Sequence, residues 1–545
     1  MKNFINKIFT GGLLAGMMLV SSCAGDFLDT APTDSTGAKD AVGTTANAMK
    51  ALNGVAKIMT TQHYYFGGGF AGENNIMAHY ENYPSENYLY NYYAPGWAQI
   101  HNQEFHSRTN SKYDAYAWYY YYTIVGNANT IIVNIDNAEG LEAEKDFIKA
   151  SALTFRAYAF EKLARYYCWR WQDSNNGTSQ GIVLRLDETT GGQKYATLGE
   201  TYAQIYKDLD EAIELFGKSG KDRAEGNVWI PDVNVAHAVY ARAALAKQDY
   251  SKALSEAKLA RQKFPLMTKE EYHAGFCKPT REWIFGSFGG SQENNWYWSY
   301  GTMFSCNGYY ANNAKTGAGA IGRHLINRIP NNDARKALFL TEDKFPEFNF
   351  ADDSAIDQTY GIFGNTKGAD AEKAKAAAAA YCKKMAVSGL EAPYQAGNMY
   401  LGGQLKFYVF DTPGVSYLPF IRSSEMILVE AEANYFLKNE VAAQASLIEL
   451  NATSGRNPDY TCDKTGDALW SEIMDYRELE LWGEGFAWSD YKRWNRPVDR
   501  KGFAQGGNAH ISIAKVIPAN GVNKWTWDVP LNETDYNDDL KGSKQ

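Results

Sequence analysis

The chain has 545 residues, 45% hydrophobic, 14% aromatic and 21% charged, with a formal net charge of −9. Such a length supports roughly two to four ordinary domains or one large elaborated fold, and the negative balance argues against nucleic acid and anionic membrane surfaces as partners. Six cysteines without a Cys-x-x-Cys pair indicate neither a zinc site nor a dense disulfide framework.

The first element is an export signal. Lys2 and Lys7 precede an apolar run over 8–20, and small residues lead into Val20-Ser21-Ser22-Cys23. The run is too short and too interrupted by glycine for a membrane span, which needs about 20 residues. Val-Ser-Ser-Cys resembles a bacterial lipobox, in which the cysteine thiol is acylated (for example with palmitate) and becomes the first mature residue. Cys23 is therefore the expected lipid attachment, and each buried CH₂ of its acyl chains contributes roughly 0.8 kcal/mol to anchoring. No later stretch approaches 18 consecutive apolar residues.

Small polar residues over 24–43 suit a tether, and a helical pattern follows over 44–60. The texture then changes: 19 of the 62 residues over 61–122 are aromatic, interleaved with Gly, Asn and Pro. Proline and glycine break any long helix over 84–96, so many of these rings are expected on loops. Apolar residues at three- and four-residue steps predict helices over 113–135, 147–167 and 201–216. A helix pair is expected over 233–247 and 250–264, turning at Gln248-Asp249 and closing at Pro265. Its small residues Ala241, Ala253, Ala257 and Ala260 fit much of the tetratricopeptide spacing, which lets antiparallel helices approach closely. The layout recurs some 190 residues later, with Ala431, Asn439-Glu440 and Ala443 in the equivalent places, although Leu447 and Leu450 replace two alanines. The fold class expected is mostly α: stacked tetratricopeptide-like helix pairs, long irregular loops and a few short strands.

The chain is irregular over 282–419, with strand-like pieces at 283–285 and 405–410 and a solvated alanine- and lysine-rich helix at 369–385. Its landmark is Asn294-Asn295-Trp296-Tyr297-Trp298-Ser299-Tyr300, four of seven residues aromatic. Long loops on a regular scaffold are where binding usually sits. Among the later cysteines, Cys277 and Cys306 are the closest pair in sequence.

Catalytic constellations are scarce. His-Glu-x-x-His, Gly-x-Ser-x-Gly and the Walker loop are all missing. Gly67-Gly68-Gly69 lacks the strand, lysine and helix of a phosphate cradle. His79 and Glu81 lack a visible third metal ligand, and Asp459, Asp463 and Asp467 lack the calcium-loop pattern. No cofactor or metal is expected.

Four segments resemble the SusD/RagB family of surface lipoproteins of Bacteroidetes. They are Phe27-Leu28-Asp29-Thr30-Ala31-Pro32; Trp118 to Ile124 with Asn127-Ala128-Asn129; Leu418 to Ala433; and Arg477-Glu478-Leu479 through Glu484-Gly485-Phe486 and Asp490 to Lys492-Arg493-Trp494. In the fourth, Ala487 stands where the family usually has Arg, and Tyr491 where it usually has Leu. The charges of the third, Arg422, Glu425, Glu430 and Glu432, are expected on a helix starting after Pro419, lacing helix pairs together. Across the chain, 1–22 is expected to be the lipoprotein signal, 23–265 an N-terminal half with aromatic loops and helix pairs, and 266–545 a C-terminal half with the irregular insertion.

The resemblance implies a glycan-binding protein without catalysis, lipid-anchored at the outer-membrane surface. It would act as a lid on a SusC-like TonB-dependent transporter and pass it oligosaccharides. A sugar offers an apolar C–H face for flat rings and a rim of hydroxyls needing polar partners. Two clusters carry that mixture: Tyr80, Glu81, Asn82, Tyr83, Tyr92, Tyr93 and Trp97, and 294–300. By position, the glycan site implied by the resemblance comprises Trp97, Trp296 and Trp298, with Tyr297 and Asn295. RagB-like relatives bind peptides instead, an alternative that Asn-rich loops leave open. A surface glycoside hydrolase, needing two carboxyls roughly 5–10 Å apart, is the remaining enzyme alternative.

Overall fold

In the computed structural model, helix starts are set by short polar side chains that cap orphan backbone N–H groups. The structure describes residues 41–66, 70–89, 95–274, 276, 278–289, 305, 319–341, 402–407 and 416–540, with Tyr64 and 95–97 described by backbone alone. Thr44 caps α1 (Thr45–Ile58) and Ser111 caps α2 (Lys112–Asn134). Helix α3 (Glu142–Tyr167) starts five residues before the apolar pattern, with Glu142 and Glu144 in a first turn that favours negative charge. The Thr197–Glu200 capping box opens α4 (Leu198–Ser219), and Gly220, at φ +59°, closes it in the left-handed region.

The expected helix pair is α5 (Val233–Ala246), capped by Asp232, and α6 (Tyr250–Arg261), capped by Asp249. Its repeat is α7 (Ser423–Phe436) and α8 (Glu440–Ile448), followed by α9 (Gly466–Glu480) and α10 (Ala487–Trp494). Neighbours in the chain pack in sequence: α3 lies between α2 and α4, α5 against α4 and α6, α6 against α7, and α7 against α8 and α9. The small-residue reading holds. Ala241, Ala253, Ala257, Ala260, Ala431 and Ala443 have no exposed surface, and Leu447 and Leu450 fill the same kind of position.

Strands are few and paired at long range. β1 (Tyr88–Leu89) pairs antiparallel with β3 (Ala320–Ile321), β2 (Trp283–Gly286) with β4 (Pro419–Arg422), and β5 (Val498–Asp499) with β6 (Val516–Ile517). The strand expected at 405–410 is not found in its described part, 405–407; Gly403 and Gln404 form only isolated bridges, to Ala320 and Phe339. The helix expected at 369–385 lies outside the described residues. So do Cys277, Cys306 and Cys382, whereas Cys168 and Cys462 are free thiols. Among the described residues, no helix is long and apolar enough to cross a membrane.

Arg422 departs from expectation. It ends β4 rather than lying on α7, and it pairs with Glu282, Glu480 and Glu484 instead of its helical neighbours. Arg456, Arg335, Lys406 and Asp333 complete a fully buried cluster of four cations and four carboxylates. The lacing of helices is nonetheless real. Glu425 pairs with Arg242, Glu430 with Arg261 and Glu432 with Arg493, each on a different helix. Buried ion pairs are costly to break, because the partner left behind is an uncompensated charge, and every charge of this cluster has a partner.

Candidate functional site

The side chains expected to bind glycan, Trp296, Tyr297, Trp298 and Asn295, lie outside the described residues, as do Tyr92, Tyr93 and Cys23. Trp97 falls in a short helix, Pro95–His101, rather than a loop, and its side chain is outside the description. Pro95 takes the first helical position, where its missing N–H costs nothing. What the structure does define is the frame around the segment that contains Trp97.

That frame begins with the β1–β3 ladder, where Leu89 faces Ala320 and Tyr88 faces Ile321. Because the strands are antiparallel, the chain leaves β1 toward residue 90 at the end where residue 319 enters β3. The segment leading to Trp97 therefore leaves the ladder at the end where residue 319 enters it. Gly319, at φ +54°, passes so close to Tyr88 that a Cβ would lie 2.5 Å from its ring, which leaves glycine as the residue that fits.

A small satellite core supports the ladder: Leu89, Ala320, Ala509 and Ile513, with Ala98 and Ala514 against it. Isolated clusters of this kind typically lie under long loops. Polar groups then fix the stem. The fully buried Arg500 donates to the carbonyls of Ser85, His101 and Ile513, each at 2.8 Å. One guanidinium thus holds both ends of the segment that contains Trp97. Asn508 donates to the Ile321 carbonyl at 2.9 Å and accepts from the Arg323 N–H, while Trp482 donates to the Asn87 carbonyl and stacks on Tyr88 with centroids 4.7 Å apart.

Charge also gathers at the stem. Glu86 lies 2.5 Å from His324 and 3.5 Å from Arg496. Burial alone would raise its pKa, but the bond to His324 and the Arg496 charge outweigh this and hold it below the usual carboxylate range. Burial pushes Arg500 down to about 10. Nothing in a single sequence singles out Arg500, Asn508 or Trp482, because their partners lie some 400 or 190 residues away.

The first half of the predicted aromatic cluster is corrected outright. Tyr80, Glu81, Asn82 and Tyr83 lie on or next to a widened, π-type helix (Ile76–Asn82), all but fully buried. Tyr80 stacks on Trp527 at 4.1 Å and donates to the Asp114 carbonyl. Glu81 accepts from the Tyr166 hydroxyl and the Ser489 N–H; Asn82 bridges to Gly483 and Gly485. His79 bonds Asn75, and burial pushes it down to about 3. Much of the tyrosine surplus is likewise core, with hydroxyls bonded inside: Tyr116 to the Gly72 carbonyl, Tyr120 and Tyr121 to Glu73, and Tyr122 to the Val183 carbonyl. A large ring fills a core well when its hydroxyl finds a partner. Outside that core, Tyr65 and Tyr119 stack at 5.4 Å on the surface.

Comparison with known proteins agrees with this architecture. The family profile described as "Starch-binding associating with outer membrane" (SusD-like) matches residues 26–245, and the SusD family profile (SusD/RagB) matches 281–543. A SusD-like carbohydrate binding protein from Bacteroides vulgatus aligns at 20% identity, covering 92% of this chain and 98% of its own, with a TM-score of 0.70. A SusD superfamily protein from Bacteroides thetaiotaomicron aligns at 19% identity over 91% and 98%, TM-score 0.66. One from Bacteroides fragilis aligns at 16% over 91% and 99%, TM-score 0.64. None of the curated proteins compared matches the chain. At these identities the solved structures establish the fold.

Proposed function

The chain belongs to the SusD/RagB family, and from that membership we propose that it is a cell-surface lipoprotein that captures oligosaccharides and delivers them to a TonB-dependent outer-membrane transporter, without catalysis. The observation that carries the reading is the match of 26–245 to a family described by starch binding and association with the outer membrane. The clamped stem supports it further. Trp97 lies on a segment that Arg500 holds at both ends, as a ring of a fixed aromatic platform would. Trp97, Trp296 and Trp298 stack on sugar faces in this proposal, and Tyr297 and Asn295 serve the hydroxyl rim. Cys23 carries the lipid that keeps the protein beside its transporter.

Modest affinity suits a carrier that must release its load. A dissociation constant between 1 mM and 1 μM corresponds to about −4 to −8 kcal/mol, within reach of two or three stacked rings. The test is to extract the lipidated chain from outer membranes in mild detergent, identify what co-purifies, and load the complex with oligosaccharide. A stoichiometric β-barrel transporter and intact oligosaccharide after prolonged incubation are expected. Shortened oligosaccharide would replace this reading with a surface glycoside hydrolase, and a chain that purifies alone would remove the transporter.

A further inference from the structure

A cavity of about 50 Å³ lies where the end of α3 and the turn after it meet α5, α7, α9 and α10. A water needs roughly 10–15 Å³ of such space, so the cavity has room for about four water-sized groups. Its wall carries six cationic side chains and two carboxylates, Glu425 and Asp490. Other carboxylates that balance the cations, Glu161 on Arg165 and Glu432 on Arg493, are not part of the wall.

Four of these cations have a carboxylate of their own: Arg165 has Glu161, Arg170 has Asp173, Arg242 has Glu425 and Arg493 has Glu432. Arg477 and Lys492 do not. Asp490 is shared, taking Nε of Arg477 and Nη2 of Arg493 at 2.7 Å each, and Nη1 of Arg477 has no hydrogen-bond partner although the residue is only 4% exposed. Lys492 is equally buried. It gives two protons to the carbonyls of Arg165 and Cys168, at 2.6 Å each, and among the described residues it meets no carboxylate within ion-pair distance. A buried ammonium without a counter-charge and a buried N–H without an acceptor both carry a desolvation cost that an anion in the cavity would offset.

The wall is partly aromatic as well as charged. Trp169 and Trp171, half-buried, belong to it; the Lys524 ammonium sits 4.3 Å from the Trp169 ring centroid and Lys247 5.5 Å from that of Trp171. Both ammonium groups add positive potential beside the cavity.

We propose that this cavity binds one oxyanion group (a sulfate, phosphate or carboxylate) between Lys492, Arg477 and Arg170. The volume admits such a head group and excludes a pyranose ring. A sugar bearing an anionic substituent would enter by that substituent and leave its ring against Trp169 and Trp171. None of the lining residues belongs to the aromatic segments around Trp97 and Trp296, so the inference does not rest on glycan binding there.

The test is calorimetric titration of the full chain with sodium sulfate, sodium phosphate and sodium glucuronate, at matched ionic strength in chloride, with glucose as the neutral control. One-to-one binding of at least one oxyanion is expected, weakened about tenfold or more in Lys492→Met. If that buried substitution fails to fold, Arg170→Gln serves. Arg170 follows the end of α3 and its partner Asp173 is 37% exposed, so its loss leaves no carboxylate stranded in the core, and binding should weaken about threefold or more. Glucuronate binding tighter than sulfate or phosphate assigns the site to an acidic sugar, and the reverse to a free or esterified inorganic anion; either result supports it. No saturable binding of any oxyanion, binding unaffected by the substitutions, or glucose binding as tightly as glucuronate would overturn it.

Discussion

Replacing Arg500 with methionine separates what the stem does for stability from what it does for binding. Methionine keeps much of the apolar stalk and removes the guanidinium, so the buried carbonyls of Ser85, His101 and Ile513 each lose a donor at 2.8 Å. A hydrogen bond to a charged group contributes about 1.5–3 kcal/mol, a gross loss of roughly 5–9. Against this stands the cost of burying the cation. Burial lowers its pKa to about 10, and at 1.36 kcal/mol per tenfold change that cost is on the order of 3 kcal/mol. The net destabilisation expected is therefore about 2–6 kcal/mol by urea unfolding. Affinity should fall as well, by about tenfold, because Ser85 and His101 bracket the segment that contains Trp97. Leu209→Ala, in the distant α4 core, is the control: a similar stability loss of about 2–5 kcal/mol with unchanged affinity. Stability within about 0.5 kcal/mol of the parent, or affinity untouched while stability falls, would refute the clamp.

Other expectations follow from the interior. Arg422→Met strips a buried cation from three carboxylates and should cost about 3–5 kcal/mol, measured by denaturant unfolding. The same cluster sets an acid limit. Burial would raise the Glu480 pKa, but Arg456, Arg422 and Arg335 outweigh it and hold the carboxyl well below its usual range. Its contribution is present above the unfolded-state value of about 4.3 and is lost as pH falls toward the folded value, so unfolding midpoints should drop below about pH 4 and drop less in Glu480→Gln. Tyr80→Phe should cost about 1 kcal/mol in thermal unfolding and leave ligand affinity unchanged, since the ring is core. The Cys168 thiol is buried and pushed up to about 12, so iodoacetamide at pH 8 should modify it only after unfolding, as read by mass spectrometry of the digested protein.

The helical scaffold is legible in the sequence because its causes are local. Thr197 with Glu200, Asp249 before α6, and alanines at three- and four-residue steps state where helices start and where they touch. Tyr80 and Tyr83 misled because composition reports how many rings there are, not which way they point. A tyrosine in a core and one on a binding loop differ only in partners such as Trp527 and Asp114, far away in the chain. Arg422 misled for a related reason. Helical spacing pairs it with Glu425, whereas β4 turns it toward Glu282, Glu480 and Glu484. Arg500 was invisible because a lone arginine after a two-residue strand carries no pattern at all.

The central claim is an aromatic platform for glycans, and an array of glycans and peptides probed with the protein tests it most directly, run beside Trp97→Ala and Trp296→Ala variants of unchanged folding. Binding to one glycan class, lost in both variants, is the result expected. Peptide binding, or glycan binding indifferent to both tryptophans, would contradict the account and move the protein toward the peptide-binding branch of its family or the ligand to another surface.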